Sequence, residues 1–391
     1  MERVLDKMTD CCGCGACLQV CPAKAISLEE DSFGFRYYKI DSTLCVDCGK
    51  CKRVCPAINT EERGSIPRVF SAYAKSAEKR INGSSGGVFG LLAEKVISSG
   101  GVVYGAAFDD NLKLRHIGVT SLHELAPILK SKYVQSDVGN TFLLVQKKLK
   151  EGKTVLFCGT PCQCKALNNF IGGNCDNLIL VDFICHGVPS QKMFDNAVAS
   201  WQNSHNKKVE KFSFRHKSLI DSRESGLRHW KLTTTDGKLY SGRSIKFPFY
   251  YAYLQYLFFR PSCYSCRYAK TDRITDLTLG DFWGLRKIEG DISMKDFNKG
   301  FSMVMANNAR GQSLLDSLEI VTKEYPLAVA IHNNFAYTNA TIQTEESKHF
   351  FKDYSTLSWS DLEKKYMIVK TDIFHRGLRF VGRQVKKMLS R

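Results

Sequence analysis

A cysteine-rich segment near the start of the chain occurs twice. The stretch CCGCGACLQVCPA at residues 11–23 returns as CVDCGKCKRVCPA at residues 45–57, and both copies have the spacing C-x2-C-x2-C-x3-C-P. In proteins with this repeat, the first three cysteines of a copy bind one [4Fe–4S] cluster, and the fourth binds the other cluster. The spacing therefore predicts two clusters, with the ligand sets Cys11, Cys14, Cys17 and Cys55 for the first and Cys45, Cys48, Cys51 and Cys21 for the second.

Zinc is the alternative for this repeat, because C-x2-C knuckles also bind zinc. A zinc ion takes four ligands, usually from two separated knuckles, and gains nothing from a third cysteine two residues further on. We therefore predict an α+β ferredoxin-like two-cluster module over residues 1–60. Between the two copies, AISL and FRYYKI flank EEDSFG and predict a hairpin, and Cys12 has no place in the cysteine pattern.

Four of the seven cysteines outside the repeat form a candidate second set. Cys263 and Cys266 in RPSCYSCRYAK have the form of a metal knuckle, but two ligands cannot complete a site. Cys162 in GTPCQ and Cys185 in ICHG lie in predicted loops and could supply the remaining ligands. Spacing between remote ligands does not distinguish zinc from a cluster, and a purely structural role of these thiols is a third alternative.

Three further segments have residues that suit a bound anion. NGSSGGVFG at residues 82–90 and CGTPCQ at residues 158–163 each open a predicted helix, whose N-terminal amides favour negative charge. SKYVQS at residues 131–136 places a lysine beside hydroxyl groups, as a phosphate would require. None matches the dinucleotide fingerprint or the P-loop, so an ordinary cap or turn is the alternative for each.

His186 in CHGVPS is a candidate proton donor, or a structural hydrogen-bonding residue.

The elements that would position these residues alternate between strand and helix. Apolar runs predict strands at residues 100–108, 154–159 and 177–185. The helix predicted at residues 87–98 has one apolar face. This succession predicts a mixed α/β domain over residues 68–320. Beyond Ile320 the pattern fades, and residues 321–391 are predicted to be a C-terminal extension with a basic tail.

The composition is that of a globular chain, with 43% hydrophobic and 24% charged residues in 391. Sixteen cysteines without a signal peptide or a membrane-spanning apolar run favour a cytoplasmic location over secretion. The net charge is +17, and its excess lies downstream, because residues 1–60 carry eight basic and eight acidic side chains. The tail from Lys364 to Arg391 could form a basic amphipathic helix, which could dock on its own domain or make peripheral contact with an anionic membrane.

In their order along the chain, the motifs resemble one known family. The two-cluster segment is followed by SSGGVFG, GGVVYGAAFD, SKYVQS, GTPCQ, VDFICHGVPS, RPSCYSC and TLGDFWG. This series is similar to the beta subunit of coenzyme F420 hydrogenase and dehydrogenase, a family that also includes a chlorophyll reductase of plants. The resemblance implies an FAD site in the α/β domain at Ser85, Gly86, Gly87, Lys132, Tyr133, Ser136, Gly159 and Thr160. It also implies a third cluster on Cys162, Cys185, Cys263 and Cys266.

The resemblance implies an oxidoreductase in which a flavin links one-electron clusters to a two-electron substrate. A ferredoxin or another redox protein would exchange electrons with the clusters, and a small molecule would exchange a hydride with the flavin. The alternative is a non-catalytic electron-transfer subunit of a larger redox complex. A protein that binds nucleic acid or membranes is favoured only by the positive charge, and we expect no nucleic acid partner.

Overall fold

The computed structural model describes residues 2–60, 66–173, 175–218 and 228–368. Its N-terminal part consists of two short helices and a hairpin. These elements are α1 (Ala16–Val20), β1 (Ile26–Glu30), β2 (Arg36–Ile40) and α2 (Lys50–Val54). β1 and β2 pair antiparallel, which confirms the predicted hairpin. Each helix follows a glycine in the left-handed region, Gly15 with φ 72° and Gly49 with φ 68°, so both copies of the repeat turn in the same way.

Eleven strands follow in the described residues from 66 onward. They are β3 (Arg68–Ala74), β4 (Val102–Phe108), β5 (Leu114–Val119), β6 (Val155–Cys158), β7 (Leu178–Phe183), β8 (Val209–Ser213), β9 (His229–Thr234), β10 (Leu239–Arg243), β11 (Leu277–Asp281), β12 (Ser302–Ala306) and β13 (Ile320–Tyr325). Eight of them form one sheet in the order β13-β3-β12-β11-β7-β6-β4-β5, and β10-β9-β8 form a small antiparallel sheet. The strands predicted at residues 100–108, 154–159 and 177–185 are confirmed as β4, β6 and β7.

The large sheet is mixed. Its central strands β4, β6, β7 and β11 are parallel, whereas β5 on one side and β12, β3 and β13 on the other pair antiparallel. In open α/β sheets, ligands bind outside the carboxyl ends of the parallel strands. The four central strands end at Phe108, Cys158, Phe183 and Asp281, so this edge of the sheet is the expected place for a site.

Helices cover the sheets and fill the spaces between them. They are α3 (Ala77–Asn82), α4 (Val88–Ser98), α5 (Thr141–Lys150), α6 (Pro161–Ile171), α7 (Gln191–His205), α8 (Pro248–Leu254), α9 (Leu285–Ile288), α10 (Met294–Lys299), α11 (Ala309–Asp316), α12 (Leu327–Asn333), α13 (Glu345–Asp353) and α14 (Trp359–Tyr366). The helix predicted at residues 87–98 is confirmed as α4, whose apolar residues Val88, Leu91, Leu92 and Val96 are all buried. Within the described ranges, no helix has the length and apolar character needed to cross a membrane.

The C-terminal part of the described chain belongs to the same core. β13 pairs with β3 from Ile320 opposite Ala74, so the large sheet continues across the boundary predicted at residue 320. The apolar pattern fades there because β13 is an edge strand with an exposed middle, not because the fold ends. Phe350 of α13 and Leu362 of α14 are buried in the aromatic core that also contains Phe194 and Phe249. The predicted basic helix after residue 368 lies outside the described residues.

The N-terminal module contacts the rest of the chain on two sides. Its helices α1 and α2 both contact α6, and α1 also contacts α5. At the tip of its hairpin, Phe33 packs edge-on against Phe351 with ring centroids 4.9 Å apart. The Ser190 hydroxyl donates a hydrogen bond of 2.6 Å to the Phe33 carbonyl. The N-terminal module therefore contacts the α/β domain through both its helices and its hairpin.

Candidate functional site

A cavity of about 710 Å³ opens at the carboxyl ends of the central strands. Its wall includes Gly159 and Cys185, which follow β6 and β7, and Asp281, the last residue of β11. Cys12 of the first cysteine copy also lines it, so the cavity reaches from the sheet to the N-terminal module. Its size is that of a pocket for a cofactor or a small-molecule substrate.

Most of the residues assigned to the flavin by resemblance lie on this cavity. The residues that line it are Ser85, Lys132, Tyr133, Ser136, Gly159 and Thr160. Gly86 and Gly87 lie behind this wall. A Cβ on Gly86 would overlap the Ala72 carbonyl oxygen, and Gly87 has φ 87° at the start of α4. These two glycines shape the loop that presents Ser85.

The start of α6 has the local structure that its sequence predicts. Thr160 is the N-cap, Pro161 is the first helical residue, and Gln163 completes a capping box with Thr160. The Gln163 side chain also donates a hydrogen bond of 3.1 Å to the Ser136 hydroxyl. This contact ties the SKYVQS segment to the helix N-terminus, so two of the three anion-suited segments meet on one wall.

Lys132 is a half-buried basic residue on the same wall. Its Nζ donates hydrogen bonds of 2.7 Å to the carbonyls of Pro127 and Leu129. Burial lowers the pKa of Lys132 to about 7, so the side chain is only partly protonated at neutral pH. A bound anion would reverse this shift because it stabilises the ammonium form.

An ion pair that the sequence did not predict stands beside Ser85. Arg215 donates to both carboxylate oxygens of Asp281, at 2.8 and 2.5 Å, and its Nε donates to the Tyr133 hydroxyl at 2.8 Å. The Ser85 hydroxyl donates a short hydrogen bond to the same carboxylate. Burial opposes ionisation of Asp281, but Arg215 and Ser85 hold the pKa of the carboxyl below its usual value. The pair stays charged and fixes Tyr133 and Ser85 at the cavity.

Two histidines line the cavity. His186 stacks near Tyr256 with ring centroids 6.1 Å apart, and burial lowers its pKa although Asp281 partly opposes this. His116 was not predicted; it stacks on Phe157 at 5.1 Å, forms a hydrogen bond of 3.1 Å with the Cys158 carbonyl, and burial lowers its pKa to about 4. Its position on strand β5, where buried and exposed residues are mixed, gave no signal in the sequence.

The four cysteines of the candidate second set come together on one side of the cavity. Cys162 lies in the first turn of α6, Cys185 follows β7, and Cys263 and Cys266 lie at a 3₁₀ turn, Pro261–Ser265. The Cys185 thiol interacts electrostatically with Cys263, Cys162 and Cys266, in that order of strength. Burial raises the pKa of Cys263 to about 12. A half-buried group of thiols that disfavours ionisation has the donor chemistry of a metal or cluster site, because a bound metal supplies the missing positive charge.

Cys12, which has no place in the repeat, lies between the two cysteine sets. Its thiol hydrogen-bonds with those of Cys14 and Cys162, and these two contacts dominate its electrostatic surroundings. No sequence pattern indicated this position, since Cys12 and Cys162 are brought together only by the packing of α1 on α6.

The eight cysteines of the repeat are also near one another. Cys17 interacts with Cys11 and Cys55, and Cys14 interacts with Cys17 and Cys55, although Cys55 belongs to the other copy. Cys51 interacts with Cys45 and Cys48, and Cys21 packs in one apolar cluster with Cys45 and Cys51. Among the described residues, no three His, Cys, Asp or Glu side chains stand where they could jointly hold a single metal ion. The ligands of a cluster differ in that they bind separate iron atoms.

The fold and the cysteine sets together define an iron–sulfur redox protein with a dicluster module on a mixed α/β domain. Residues 10–58 match the model of the 4Fe-4S dicluster domain. Residues 152–325 match the model of the C terminus of the coenzyme F420 hydrogenase/dehydrogenase beta subunit. The two matches agree with the resemblance of the motifs to the coenzyme F420 hydrogenase/dehydrogenase beta subunit family.

One solved structure resembles the chain over much of its length. It is a chain of the F420-reducing [NiFe] hydrogenase complex from Methanosarcina barkeri, with 16% identity and a TM-score of 0.44. The match covers 74% of this chain and 93% of that chain. No curated protein sequence gives a significant match.

Proposed function

We propose that this protein is an FAD-dependent iron–sulfur oxidoreductase that passes electrons between [4Fe–4S] clusters and an organic two-electron substrate. One observation carries the proposal: a single cavity is lined both by six of the eight residues assigned to the flavin and by the four thiols of the second set. A one-electron centre and a two-electron cofactor would therefore share one site. When bound, FAD would combine single electrons into a hydride.

The charge of the cavity supports an acidic cofactor. Its described wall contains seven basic residues, Lys130, Lys132, Arg215, Arg228, Arg243, Arg260 and Arg267. The acidic residues on the wall are Asp10 and Asp281, and Asp281 is already neutralised by Arg215. The excess positive charge suits the pyrophosphate of FAD, and the amides at the start of α6 would add to it. Ser85, Lys132, Tyr133, Ser136, Gly159 and Thr160 would hold the cofactor, with Gly86 and Gly87 shaping the loop.

The proposed ligand sets follow from the repeat and from the contacts between its copies. Cys11, Cys14, Cys17 and Cys55 would hold the first cluster, and Cys45, Cys48, Cys51 and Cys21 the second. Cys162, Cys185, Cys263 and Cys266 would hold a third cluster. Because Cys48 is exposed, the second cluster would lie nearest the surface, where a ferredoxin or another redox protein could reach it. The first cluster would lie against the α/β domain beside the cavity, since Cys14 is buried there.

His186 is proposed to serve the hydride transfer step. Because burial lowers its pKa, the ring is neutral at pH 7 and would act as a hydrogen-bond donor or a proton acceptor. The stacking on Tyr256 would hold the ring plane toward the cavity.

Anaerobic purification tests the proposal directly. The protein should contain FAD and about twelve iron atoms, the content of three [4Fe–4S] clusters. Cys266→Ser should lose about four of them and keep the other two clusters. Cys175→Ser is the matched control, since Cys175 is a half-buried thiol outside all three sets, and it should keep the full iron content. Bound zinc without flavin would overturn the proposal.

A non-catalytic electron-transfer subunit is the second candidate, favoured by the match to a beta subunit. The two candidates differ in what the purified chain does alone. An oxidoreductase should transfer electrons between reduced ferredoxin and its own flavin, and should turn over with a flavin-reactive acceptor. A relay subunit would exchange electrons through its clusters and would turn over only with its partner subunits present.

A further inference from the structure

Arg260 is a fully buried cation at the junction between the N-terminal module and the cavity. Its exposed fraction is 0%, and it is among the largest side chains buried to that extent. The guanidinium lies over the rings of Phe35 and Tyr37, with its carbon 5.3 and 4.8 Å from their centroids. Nη2 donates a short hydrogen bond to the Arg36 carbonyl, and Nε donates to the Gln135 side-chain oxygen at 3.3 Å.

This cation has no counter-ion among the protein side chains that the structure describes. No described carboxylate forms an ion pair with Arg260, and Nη1 is buried without a hydrogen-bond partner. Arginine keeps its proton in proteins, so the charge cannot be removed by deprotonation. A buried charge without a partner is costly, and buried charges are normally paired or bound to an anion. An anion other than a carboxylate is therefore expected beside Arg260.

Arg260 lies between the ligand loop of the first cysteine copy and the cysteines of the second set. On one side, Arg260 packs against Gly13 in the first ligand loop, where a Cβ would stand only 2.5 Å from Nη2. On the other side, Arg260 lines the cavity together with Cys162 and Cys263, and its carbonyl accepts a hydrogen bond of 2.8 Å from the Cys263 backbone amide. A [4Fe–4S] core bears fewer positive charges than its four thiolates bear negative charges, so a ligated cluster is an anion.

We propose that Arg260 is the shared counter-ion of the first and third clusters and that its charge raises the reduction potential of both. The proposal rests on the cluster ligands of the proposed function. Reduction adds one negative charge to a cluster, and a nearby cation in a medium of low dielectric constant stabilises that reduced form. The second cluster would be less affected by this cation, because its ligand Cys48 is exposed to solvent whereas Arg260 is fully buried. Arg260 would thus favour electron movement from the second cluster toward the cavity.

Redox titration followed by electron paramagnetic resonance tests this role. Arg260→Gln should shift the midpoint potentials of the first and third clusters to more negative values and leave that of the second cluster nearly unchanged. Arg260→Lys should restore most of the shift because it retains the charge. The readout is the potential of each cluster, which loss of packing alone would not move in a charge-dependent way.

Arg80→Gln is the matched control. Arg80 is also buried, lies over two aromatic rings, those of Tyr73 and Phe301, and donates to a backbone carbonyl, that of Gly300. No cysteine contributes to its electrostatic surroundings. The three cluster potentials should therefore be unchanged in this variant.

Gln135→Glu provides a second test that keeps Arg260 in place. The new carboxylate would take the position of the Gln135 oxygen that now accepts from Arg260, and would neutralise the guanidinium. The midpoint potentials of the first and third clusters should become more negative. This variant tests the role of Arg260 even if Arg260→Gln does not assemble its clusters. Unchanged potentials in Gln135→Glu, or loss of FAD from Arg260→Gln without a shift in any cluster, would overturn the proposal.

These outcomes are distinct from failure of the proposed function. A wild-type protein that holds clusters but no FAD would refute the flavin assignment while the potentials could still be compared. A wild-type protein that holds zinc would refute the proposed function, and with it the role of Arg260.

Discussion

The two copies of the cysteine repeat have the same spacing and opposite surroundings. In the first copy, Cys14 and Ala16 are buried against the α/β domain, whereas the corresponding Cys48 and Lys50 of the second copy are exposed. Gln19 of the first copy contacts α5, and its counterpart Arg53 faces solvent. The spacing thus specifies what a copy can bind, and the residues between the cysteines specify whether it faces the protein or a partner.

The strongest test of this comparison removes the crossed ligands one at a time. Cys55→Ser should abolish the first cluster, because Cys55 interacts with Cys11, Cys14 and Cys17 rather than with its own copy alone. Cys21→Ser should abolish the second. Each variant should lose about four iron atoms, and the remaining resonance signal should identify the cluster that is kept. Loss of the second cluster from Cys55→Ser would contradict the crossed assignment.

Exposure of the second copy predicts unequal lability. An iron chelator should remove the second cluster several-fold faster than the first, because Cys48 is exposed while Cys14, Cys17 and Cys55 are buried. Loss of the two resonance signals over time under anaerobic conditions measures the ratio. Equal rates would mean that the α/β domain does not shield the first cluster.

The next test replaces one corresponding residue in each copy by the same side chain. Gly13 has φ 68° and packs against Arg260, whereas Asp47 in the second copy has φ 48° and is exposed. Gly13→Asn should lower the free energy of unfolding by about 1–3 kcal/mol, since the new Cβ has no room beside the buried guanidinium. Asp47→Asn should change it by less than about 0.5 kcal/mol.

Urea denaturation of both variants, followed by circular dichroism in the absence of oxygen, measures the difference. Asparagine tolerates the left-handed conformation, so backbone strain should be similar in the two variants. The difference in their stability therefore reports the contact with Arg260. A tolerated Gly13→Asn would show that Arg260 can move, and would weaken the view of the junction as closely packed.

A smaller effect is expected from the contact between the first copy and α5. The Gln19 side-chain oxygen accepts hydrogen bonds from the backbone amides of Phe142 and Leu143, at 3.0 and 3.3 Å. Gln19 thus caps the N-terminus of α5, because the side chain of the N-cap residue Asn140 forms no capping hydrogen bond. Gln19→Ala should destabilise the protein by about 1 kcal/mol. Arg53→Ala, its counterpart, should stay within about 0.5 kcal/mol of the wild type. Thermal unfolding of the two variants side by side gives the comparison.

The sequence predicted the features that depend on neighbours in the chain. The hairpin between the copies, the apolar face of α4 and the start of a helix in CGTPCQ all follow from residues a few positions apart. The position of Arg215 could not be predicted, because Asp281 and Tyr133 lie 66 and 82 residues away in the chain. The sheet position of β13 was missed for a related reason, since an exposed edge strand lacks the apolar pattern by which strands are recognised.

The same division applies to the cysteines. Spacing predicted the ligands of the repeat, but the position of Cys12 beside Cys162 depends on how α1 packs against α6. The burial of Arg260 could not be predicted from the sequence either. Its environment is formed by Phe35, Tyr37 and Gln135, which come from two distant segments of the chain.

The anchoring of Phe33 has a consequence for the kinetics of the protein. A carrier domain on a tether must swing between donor and acceptor, and its rate then depends on diffusion. Here Phe33 is held against Phe351, and its carbonyl is bound by Ser190, while the opposite side of the module rests on α6. Electron transfer between the first cluster and the cavity would therefore proceed over a constant distance, and its rate should not change when glycerol raises the viscosity of the solvent.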